Sequence, residues 1–399
     1  MKPKFAQAVI LCGGEGTRLG NITKKTPKPL IKVNSKSFLN YQIDHLKKFG
    51  FKKFLLLCGY KSEKFIKHFK KNKDVKIIVE NQKLNTGGAL INAKKNLDKN
   101  FLLFNGDTFS DINFNFFIDY HKKNKFRNSI LINYTNTLNR YGKVKIKKKS
   151  NLVLKISKNI RSKYIYSGFC LLNKNFIKNI KCQKKSFEDL VAKYLIKKNQ
   201  LNYIISNNAS NFIDIGVKKD LNNSSNLLKK SLDRKIVFFD RDGTINKDTK
   251  YLYRKSDFIW NKSFFKTVRY LNSKNILVFV ITNQSGVGRG FYKENSVIKL
   301  HKWMNEVLIS KKAYIDDFFY AIYFHNSTKF NFKKKDLYRR KPNIGMVLEA
   351  KKKWGLNIKK SIIIGDSASD KLLANKLNVK FYKVNYKTDL LKIVKKKFN

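Results

Sequence analysis

Cysteine is scarce in this 399-residue chain: Cys12, Cys58, Cys170 and Cys182 are all there is, and all lie in the first half. Three sit in strand-like contexts, ILCGG, LLLCGY and GFCLL, and no two show C-x-x-C spacing. That points away from disulfides or cysteine-held metal and toward buried, reduced thiols. Long apolar runs are absent too; nothing approaches the ~18–20 residues of a membrane span. The opening MKPKFAQAVILCGGEG sets two lysines before an apolar run, as a secretion leader would. The run is short and stops at a glycine cluster, so we expect a first buried β-strand and a cytoplasmic protein without membrane contact. Acidic residues are few, 27 against 87 Lys+Arg, for a formal charge of +60. Among those 87 only eleven are Arg, the residue that grips phosphate in pairs and reads bases. No helix-turn-helix, zinc-finger or RNP-type pattern accompanies the lysines, which argues against nucleic-acid binding.

What is present is a globular composition, 42% hydrophobic and 14% aromatic, in a chain long enough for two domains. Lys, Asn, Ile, Phe and Tyr are abundant together, as the codons of an A/T-rich genome would supply. We therefore read the lysines as solvated faces whose field attracts anionic small-molecule substrates. Homo-oligomerisation is compatible with the sequence.

Apolar strands alternate with amphipathic helices through the first ~220 residues: AVILC, FLNYQIDHLKKFG, KFLLLCGY, SEKFIKHFKKN, VKIIVE, GGALINAKKNL, FLLFNGD. This rhythm predicts right-handed βαβ crossovers and a mostly parallel sheet. A polar stretch, KKDLNNSSNLLKKSLDRK, reads as a helix plus linker. A second alternation follows: KIVFFD, a helix near 262–273, ILVFVITN, a helix near 293–310, DFFYAIYF, a helix near 343–354, SIIIGD. The fold class is α/β, two tandem α/β domains: 1–222, a linker over 223–234, and 235–399.

In the first domain the strand AVIL runs into Cys12-Gly13-Gly14-Glu15-Gly16-Thr17-Arg18-Leu19. Closely spaced glycines after a strand let backbone N–H groups approach phosphate oxygens. The loop is neither a Walker A nor a Rossmann G-x-G-x-x-G motif. Arg18 and Lys28, in T-P-K-P-L, add fixed cations. Together with Leu84-Asn85-Thr86-Gly87-Gly88-Ala89, Phe104-Asn105-Gly106-Asp107-Thr108, Ser167-Gly168-Phe169, Phe187-Glu188 and Phe212-Ile213-Asp214-Ile215-Gly216, this order resembles the sugar-1-phosphate nucleotidyltransferases over residues 5–222. The resemblance implies a nucleotide-diphospho-sugar transferase fold of Rossmann-like type. Gly13, Gly14, Gly16 and Thr17 would cradle the triphosphate with Arg18, and Lys28 would meet the α-phosphate or sugar phosphate. Gly87 and Gly88 would pack on the base, Gly168 and Glu188 would face the sugar, and Asp107 and Asp214 would hold Mg²⁺. Singly, Asp107 and Asp214 read as turn residues; in this order they read as metal ligands. The stretch Ile156-Ser157-Lys158 departs from the family's Glu-Lys pair, which leaves the sugar contacts there open.

In the second domain the strand VFF ends in Asp240-Arg241-Asp242-Gly243-Thr244. Two carboxylates that close repel unless a cation or a shared catalytic task makes the placement useful. With Ile281-Thr282-Asn283, Lys341-Pro342 and Gly365-Asp366, followed by Asp370, the pattern resembles the haloacid-dehalogenase-like phosphatases. The resemblance implies a HAD-like Rossmannoid fold without a large cap. Asp240 would be the nucleophile and Asp242 the acid and base. Thr282 and Asn283 would bind the phosphoryl group, and Lys341 would offset charge, with Mg²⁺ held by Asp240, Asp242 and Asp366. Thr282 to Gly290, TNQSGVGRG, and Arg340-Lys341-Pro342 with Met346 are similar to heptose-bisphosphate and histidinol-phosphate phosphatases. Those relatives carry a cysteine-rich zinc loop. Here the matching positions are Tyr323, Leu337 and Arg339 with only His325 kept, so no zinc is expected.

Joined, the two resemblances imply a bifunctional enzyme of nucleotide-sugar biosynthesis. One half would strip a sugar bisphosphate to its 1-phosphate; the other would join that product to a nucleotide. The first half also resembles the short guanylyltransferases of the GDP-heptose route. Glu80, ahead of the base loop, could accept from guanine N1–H and N2–H₂, or be a solvated strand-end residue. The alternatives are the same chemistries on another sugar with UTP or CTP, and a basic nucleic-acid-binding protein on an inactive scaffold.

Overall fold

The computed structural model describes residues 5–134, 142–206, 212–324 and 337–399. Two compact units divide it, Met1–Lys229 and Lys230–Asn399. The helix Lys218–Leu232 runs through most of the stretch where the sequence suggests a linker.

The first unit is built on a nine-stranded sheet. Its early part is a parallel α/β layer: Gln7–Leu11 lies between Lys53–Cys58 and Asn100–Asn105, with Val75–Val79 beyond Lys53–Cys58. The three inner strands carry nearly unbroken apolar sequence because both faces are covered, while the edge strand Val75–Val79 is partly exposed. Past Asn105 the sheet becomes mixed. Tyr164–Asn173 pairs antiparallel with both Asn100–Asn105 and Asn128–Tyr134, and Lys143–Lys147 turns back on Leu152–Ser157. The expected mostly parallel sheet thus holds for the four strands of that first layer; beyond them only Leu201–Ile205 with Asn128–Tyr134 pairs parallel. KVKIKKKSNLVLKIS alternates at period two around Asn151, whose φ of 51° makes a tight reversal, and so forms a hairpin instead of a crossover. A separate antiparallel pair, Thr108–Ser110 with Phe212–Asp214, sits beside the main sheet.

The second unit is an all-parallel five-stranded sheet in the order Asp317–Ala321, Leu277–Asn283, Ile236–Phe239, Ser361–Gly365, Lys380–Lys383. Its helices follow the expected apolar period. In Phe264–Ser273 the buried side chains include Phe264, Val268 and Leu271; in Glu294–Ser310 they include Val297, Leu300, His301, Met304 and Leu308. The helix Ala368–Leu377 opens with a reciprocal cap between Ser367 and Asp370.

In both units the first strand lies between the second and the fourth, so the chain reverses its winding direction beside it. Ligands of open α/β sheets bind at the carboxyl ends of strands at such a switch point. The glycine loop after Leu11 and the Asn105-Gly106-Asp107 turn occupy that position in the first unit; Asp240 and Asp366 occupy it in the second.

Phe279 is fully buried, with its ring 5.5 Å from Phe238 and 5.4 Å from Trp354. Phe279→Ala should cost about 3–5 kcal/mol of stability. All three tryptophans, Trp260, Trp303 and Trp354, lie in this unit, so tryptophan emission during urea denaturation should show the transition moved to lower urea.

Candidate active sites

The first site is a cavity of about 380 Å³ lined by Gly13, Gly14, Gly16, Lys28, Glu80 and Asp107 among others. A methyl on Gly13 would sit 2.9 Å from Glu80 Oε1, so a larger residue there would push the Glu80 carboxylate aside. Glu80 accepts from the Leu84 N–H at 3.2 Å, and burial lifts its carboxyl above the usual range. Lys28 is 7% exposed, and its Nζ donates to Asp107 Oδ2 at 2.8 Å. Asp214 stands opposite Thr108 in the antiparallel pair, and the Ile215 N–H donates to the Asp107 carbonyl. Two residues 107 positions apart in sequence are thereby neighbours. Asp214 Oδ1 also accepts from the Gly216 N–H at 2.6 Å.

Other expected residues are arranged differently. Thr17 and Arg18 lie on an exposed 3₁₀ turn, Thr17–Leu19, and do not line the cavity. Gly87 and Gly88 serve close backbone packing: both N–H groups point at the Lys185 carbonyl, and added methyls would strike the Ser186 and Gln183 carbonyls. They bring the Ser186 segment to the cavity wall, where Asn85, Thr86 and Ser186 line it. Gly168, at φ 82°, sits where the pairing of Tyr164–Asn173 shifts register, beside the Asn105 side chain. Glu188 is half-buried beyond the lining. Burial raises its pKa, offset in part by the Ser186 hydrogen bond and the Lys158 charge. Asn85, Thr86 and Asn105, which stand within motifs read from the sequence but were given no role of their own, line the cavity, as does Lys83, which the sequence did not single out.

The second site is a cavity of about 410 Å³ lined by Asp240, Asp242, Thr282, Asn283, Lys341 and Asp366 among others. Asp240 follows the central strand. Its Oδ1 accepts from the Arg241 N–H at 2.7 Å and lies 2.7 Å from Lys341 Nζ. Lys341 also donates to Asp370 Oδ1 at 2.6 Å, so one buried ammonium bridges two buried carboxylates. Burial works against the charge on Lys341, yet Asp240 and Asp370 hold its pKa above the usual value. Asp240 is pushed well above the carboxylate range by burial; Lys341 counters this, and Asp370 and Asp242 add to it. Asn283 positions Lys341 by exchanging hydrogen bonds with its backbone, 3.1 and 3.0 Å.

Asp242 is held apart from that group. Arg241, fully buried, donates to it through Nε at 3.1 Å and Nη2 at 2.8 Å, and Asn246 and Gln284 donate at 3.0 and 2.9 Å. Gln284 Nε2 also reaches Thr282 Oγ1 at 2.9 Å, which ties Thr282 to Asp242. The carboxylates that converge are Asp240, Asp366 and Asp370, with oxygens all within 4.8 Å of one another. Asp370 joins this group and Asp242 stands outside it; both carboxylates are already hydrogen-bonded, Asp370 by Lys341 and Ser367 and Asp242 by Arg241, Gln284 and Asn246. Four carboxylates (Asp240, Asp242, Asp366, Asp370) face two cations, Lys341 and Arg241. A divalent cation would balance the difference, and an all-oxygen donor set suits Mg²⁺. Asp366 packs against Gly243, whose φ of 81° and lack of Cβ leave it room. Sequence reasoning passed over Arg241, Gln284 and Asn246, because their role depends on contacts spanning up to 60 positions.

Arg340 lies outside the lining, its Nη1 on the Tyr323 carbonyl at 3.3 Å and its guanidinium 5.9 Å from the Phe324 ring. Arg289 stacks on the same ring at 3.6 Å. Burial and the Arg289 charge together lower the Arg340 pKa. Arg339, at one position matched to a zinc ligand, lies 2.8 Å from Glu349 Oε1. His325 lies outside the described residues. Among the described residues, no helix is long and apolar enough to cross a membrane.

Lys341→Met would leave Asp240 and Asp370 buried without their cation, and should cost about 3–5 kcal/mol at pH 7 in the presence of chelator. Without Lys341 the charge that counters burial at Asp240 is gone, so between pH 7 and 5 the folded variant binds more protons than the folded wild-type does. Its deficit should therefore shrink as pH falls from 7 to 5, which paired denaturation curves at the two pH values would show.

Residues 7–231 match the nucleotidyl transferase family, and residues 235–393 match the family described as polynucleotide kinase 3 phosphatase. Over 220 residues, 54% of this chain and 96% of the relative, it is 34% identical to D-glycero-alpha-D-manno-heptose 1-phosphate guanylyltransferase of Campylobacter jejuni. Over 136 residues, 34% of this chain and 73% of the relative, it is 38% identical to D-glycero-alpha-D-manno-heptose-1,7-bisphosphate 7-phosphatase of the same organism. HddC from Yersinia pseudotuberculosis, also solved complexed with GMP-PN, superposes with a TM-score of 0.50 at 29% identity over 56% of this chain and 100% of its own. With a glycine cradle at one switch point and a carboxylate–lysine cluster at the other, the chain belongs to the nucleotidyl transferase family in its first half and to the HAD-like phosphatases in its second, and is a bifunctional enzyme with both activities.

Proposed function

We propose that the two halves catalyse consecutive steps: removal of the 7-phosphate from D-glycero-D-manno-heptose 1,7-bisphosphate, then transfer of GMP from GTP to the heptose 1-phosphate. The observation that carries the pairing is a single chain holding both sites, one similar to a heptose 1-phosphate guanylyltransferase and the other to a heptose-bisphosphate 7-phosphatase. The product of the second half is then the nucleophile needed by the first.

At the second site an Asp240 oxygen attacks phosphorus while the bond to the sugar oxygen breaks, and Asp242 gives that oxygen its proton. Water then attacks the aspartyl-phosphate and passes a proton to Asp242. The bond to Asp240 breaks and inorganic phosphate leaves. Thr282 and Asn283 hold the phosphoryl oxygens, and the Thr282–Gln284–Asp242 chain keeps acid and phosphoryl site in one frame. Mg²⁺ among Asp240, Asp366 and Asp370, and at Asp107 and Asp214, would neutralise phosphate charge. At the first site an oxygen of the sugar 1-phosphate attacks the α-phosphorus and pyrophosphate leaves. This nucleophile is already anionic, so positioning and charge carry the step. The glycine-loop N–H groups take the triphosphate with Arg18 reaching in from the rim, Lys28 meets the α-phosphate, and Glu80 accepts from the guanine edge. Glu188 and Gly168 shape the sugar side.

Order follows from charge. A pocket lined for sugar hydroxyls disfavours the dianion at the far end of a bisphosphate. Arg289 and Arg340, which have no carboxylate partner among the described residues, can receive the phosphate that remains on the sugar at the second site. Asp240→Asn should abolish phosphate release from the bisphosphate yet leave pyrophosphate release from purified sugar 1-phosphate and GTP near normal; Asp107→Asn should do the reverse. Given bisphosphate and GTP together, the Asp240→Asn protein should yield no nucleotide sugar by mass spectrometry. A nucleotide-linked sugar still carrying its far phosphate would overturn the order. Glu80→Gln should reduce the preference for GTP over UTP by about tenfold in kcat/KM, the loss of one charge-assisted contact.

A further inference from the structure

The glycine loop that cradles phosphate carries a carboxylate of its own. Glu15 stands between Gly14 and Gly16, where an anionic ligand would meet it as a like charge. Its Oε1 accepts from Lys83 Nζ at 2.9 Å, and both side chains are about half exposed, 43% and 58%. Lys83 belongs to the segment leading into the helix Asn85–Asn92, so the pair spans two separate loops of the nucleotide cavity. Only two of the described residues lining that cavity are cations, Lys28 and Lys83. Lys28 is buried and committed to Asp107, whereas Lys83 is engaged only by an exposed ion pair. An exposed pair of this kind adds little stability and exchanges readily. A triphosphate offers the same ammonium several anionic oxygens at once.

We propose that Glu15–Lys83 is a latch which the incoming nucleoside triphosphate opens: Lys83 leaves Glu15 for a phosphate of the nucleotide, and Glu15 turns away to solvent. Lys83 is then a nucleotide-binding residue and Glu15 its built-in competitor. The exchange makes anion affinity depend on the two residues with opposite sign. Glu15 lowers it by occupying Lys83 and repelling phosphate; Lys83 raises it. The inference rests on the nucleotidyl-transfer reading of this cavity but does not depend on which base is used.

Inorganic tripolyphosphate, which has no base or sugar, is the probe, and binding to the full chain is measured calorimetrically in Mg²⁺ buffer. Glu15→Gln should tighten binding about 3- to 10-fold and Lys83→Met should weaken it about tenfold, the scale of one charge contact. The gain from Glu15→Gln should shrink in the Lys83→Met background, because the competition for Lys83 is gone. Unchanged far-UV circular dichroism and an unchanged thermal transition in each variant show that the first unit, which carries both residues, is folded. If both single variants weaken binding, the pair merely ties two loops together and the latch is wrong. It is equally wrong if neither variant changes binding, or if the wild-type protein does not bind tripolyphosphate. Opposite shifts in a protein that transfers no guanylyl group would remove the functional reading and leave the latch. Shifts of the same sign in an active guanylyltransferase would do the converse.

Discussion

A carboxylate at the buried end of a strand is stable only beside a cation, and each half of this chain meets that constraint with one lysine. Lys28 reaches Asp107 at 2.8 Å, and Lys341 reaches Asp240 at 2.7 Å. Both lysines are themselves buried, so neither charge is tolerable alone. Each pair therefore locks a loop to a strand end. Lys28 fixes the T-P-K-P-L segment to the Asn105-Gly106-Asp107 turn, and Lys341 fixes its own segment to the central strand and to the start of the helix Ala368–Leu377. Once these contacts form, the remaining site geometry has little freedom. Asn283 can hold the Lys341 backbone only because Lys341 is already placed, and Asp366 lies against Gly243 because Asp370 anchors the turn between them.

The two sites solve different charge problems with this device. Nucleotidyl transfer has an anionic nucleophile and an anionic leaving group, so it needs cations and N–H groups and no strong base. The first site accordingly has a lysine and glycine N–H groups at its floor, and its acids stand where a metal would carry charge. Phosphoester hydrolysis through aspartate needs a nucleophile that stays ionised and a second acid that can gain and lose a proton. The second site separates these tasks by environment. Asp240 is buried against Lys341, whose charge counters the burial that raises its pKa, while Asp242 sits two residues on within a cage of Arg241, Gln284 and Asn246. Arg241, between the two aspartates in sequence, is turned fully inward and supports the second from beneath. That answers why two carboxylates can stand so close at the end of an apolar strand.

Motif order in the sequence marked the strand ends at which both cavities lie. Strands that end in Gly-Gly, Asn-Gly-Asp, Asp-x-Asp or Gly-Asp are apolar runs stopped by turn and charge chemistry, and such boundaries are visible locally. The helices near 262–273, 293–310 and 343–354 were legible because their apolar residues recur at helical spacing. Less legible was anything that depends on which face meets which. The hairpin around Asn151 has the composition of a crossover strand, and only its partner shows that the sheet turns mixed there. Gly87 and Gly88 look like ligand-contacting glycines, yet what they meet is the carbonyl row of a segment about a hundred residues away. Asp370 was noted in sequence but not assigned to the metal group. Its claim rests on Lys341 and Ser367, which fold it back over Gly365.

The excess of lysine bears on this chemistry through what it leaves unpaired. With 87 basic and 27 acidic residues, most lysines have no carboxylate to meet, and the ion pairs that do form are largely exposed ones such as Lys47–Asp74 and Lys53–Asp98. Exposed pairs add little to stability, and unpaired exposed lysines add repulsion. The fold must therefore rest on its apolar cores, which are aromatic-rich: twelve of the largest fully buried side chains comprise eleven phenylalanines and Arg241. The same field favours tetra-anionic and bisphosphorylated small molecules over neutral ones before any specific contact forms. Against that background a cation does not make a site distinctive; a carboxylate does. The acids at strand ends, Asp107, Asp214, Asp240 and Asp366, and Asp370 in the first turn of the helix that follows, are what set two places apart from the general attraction for phosphate.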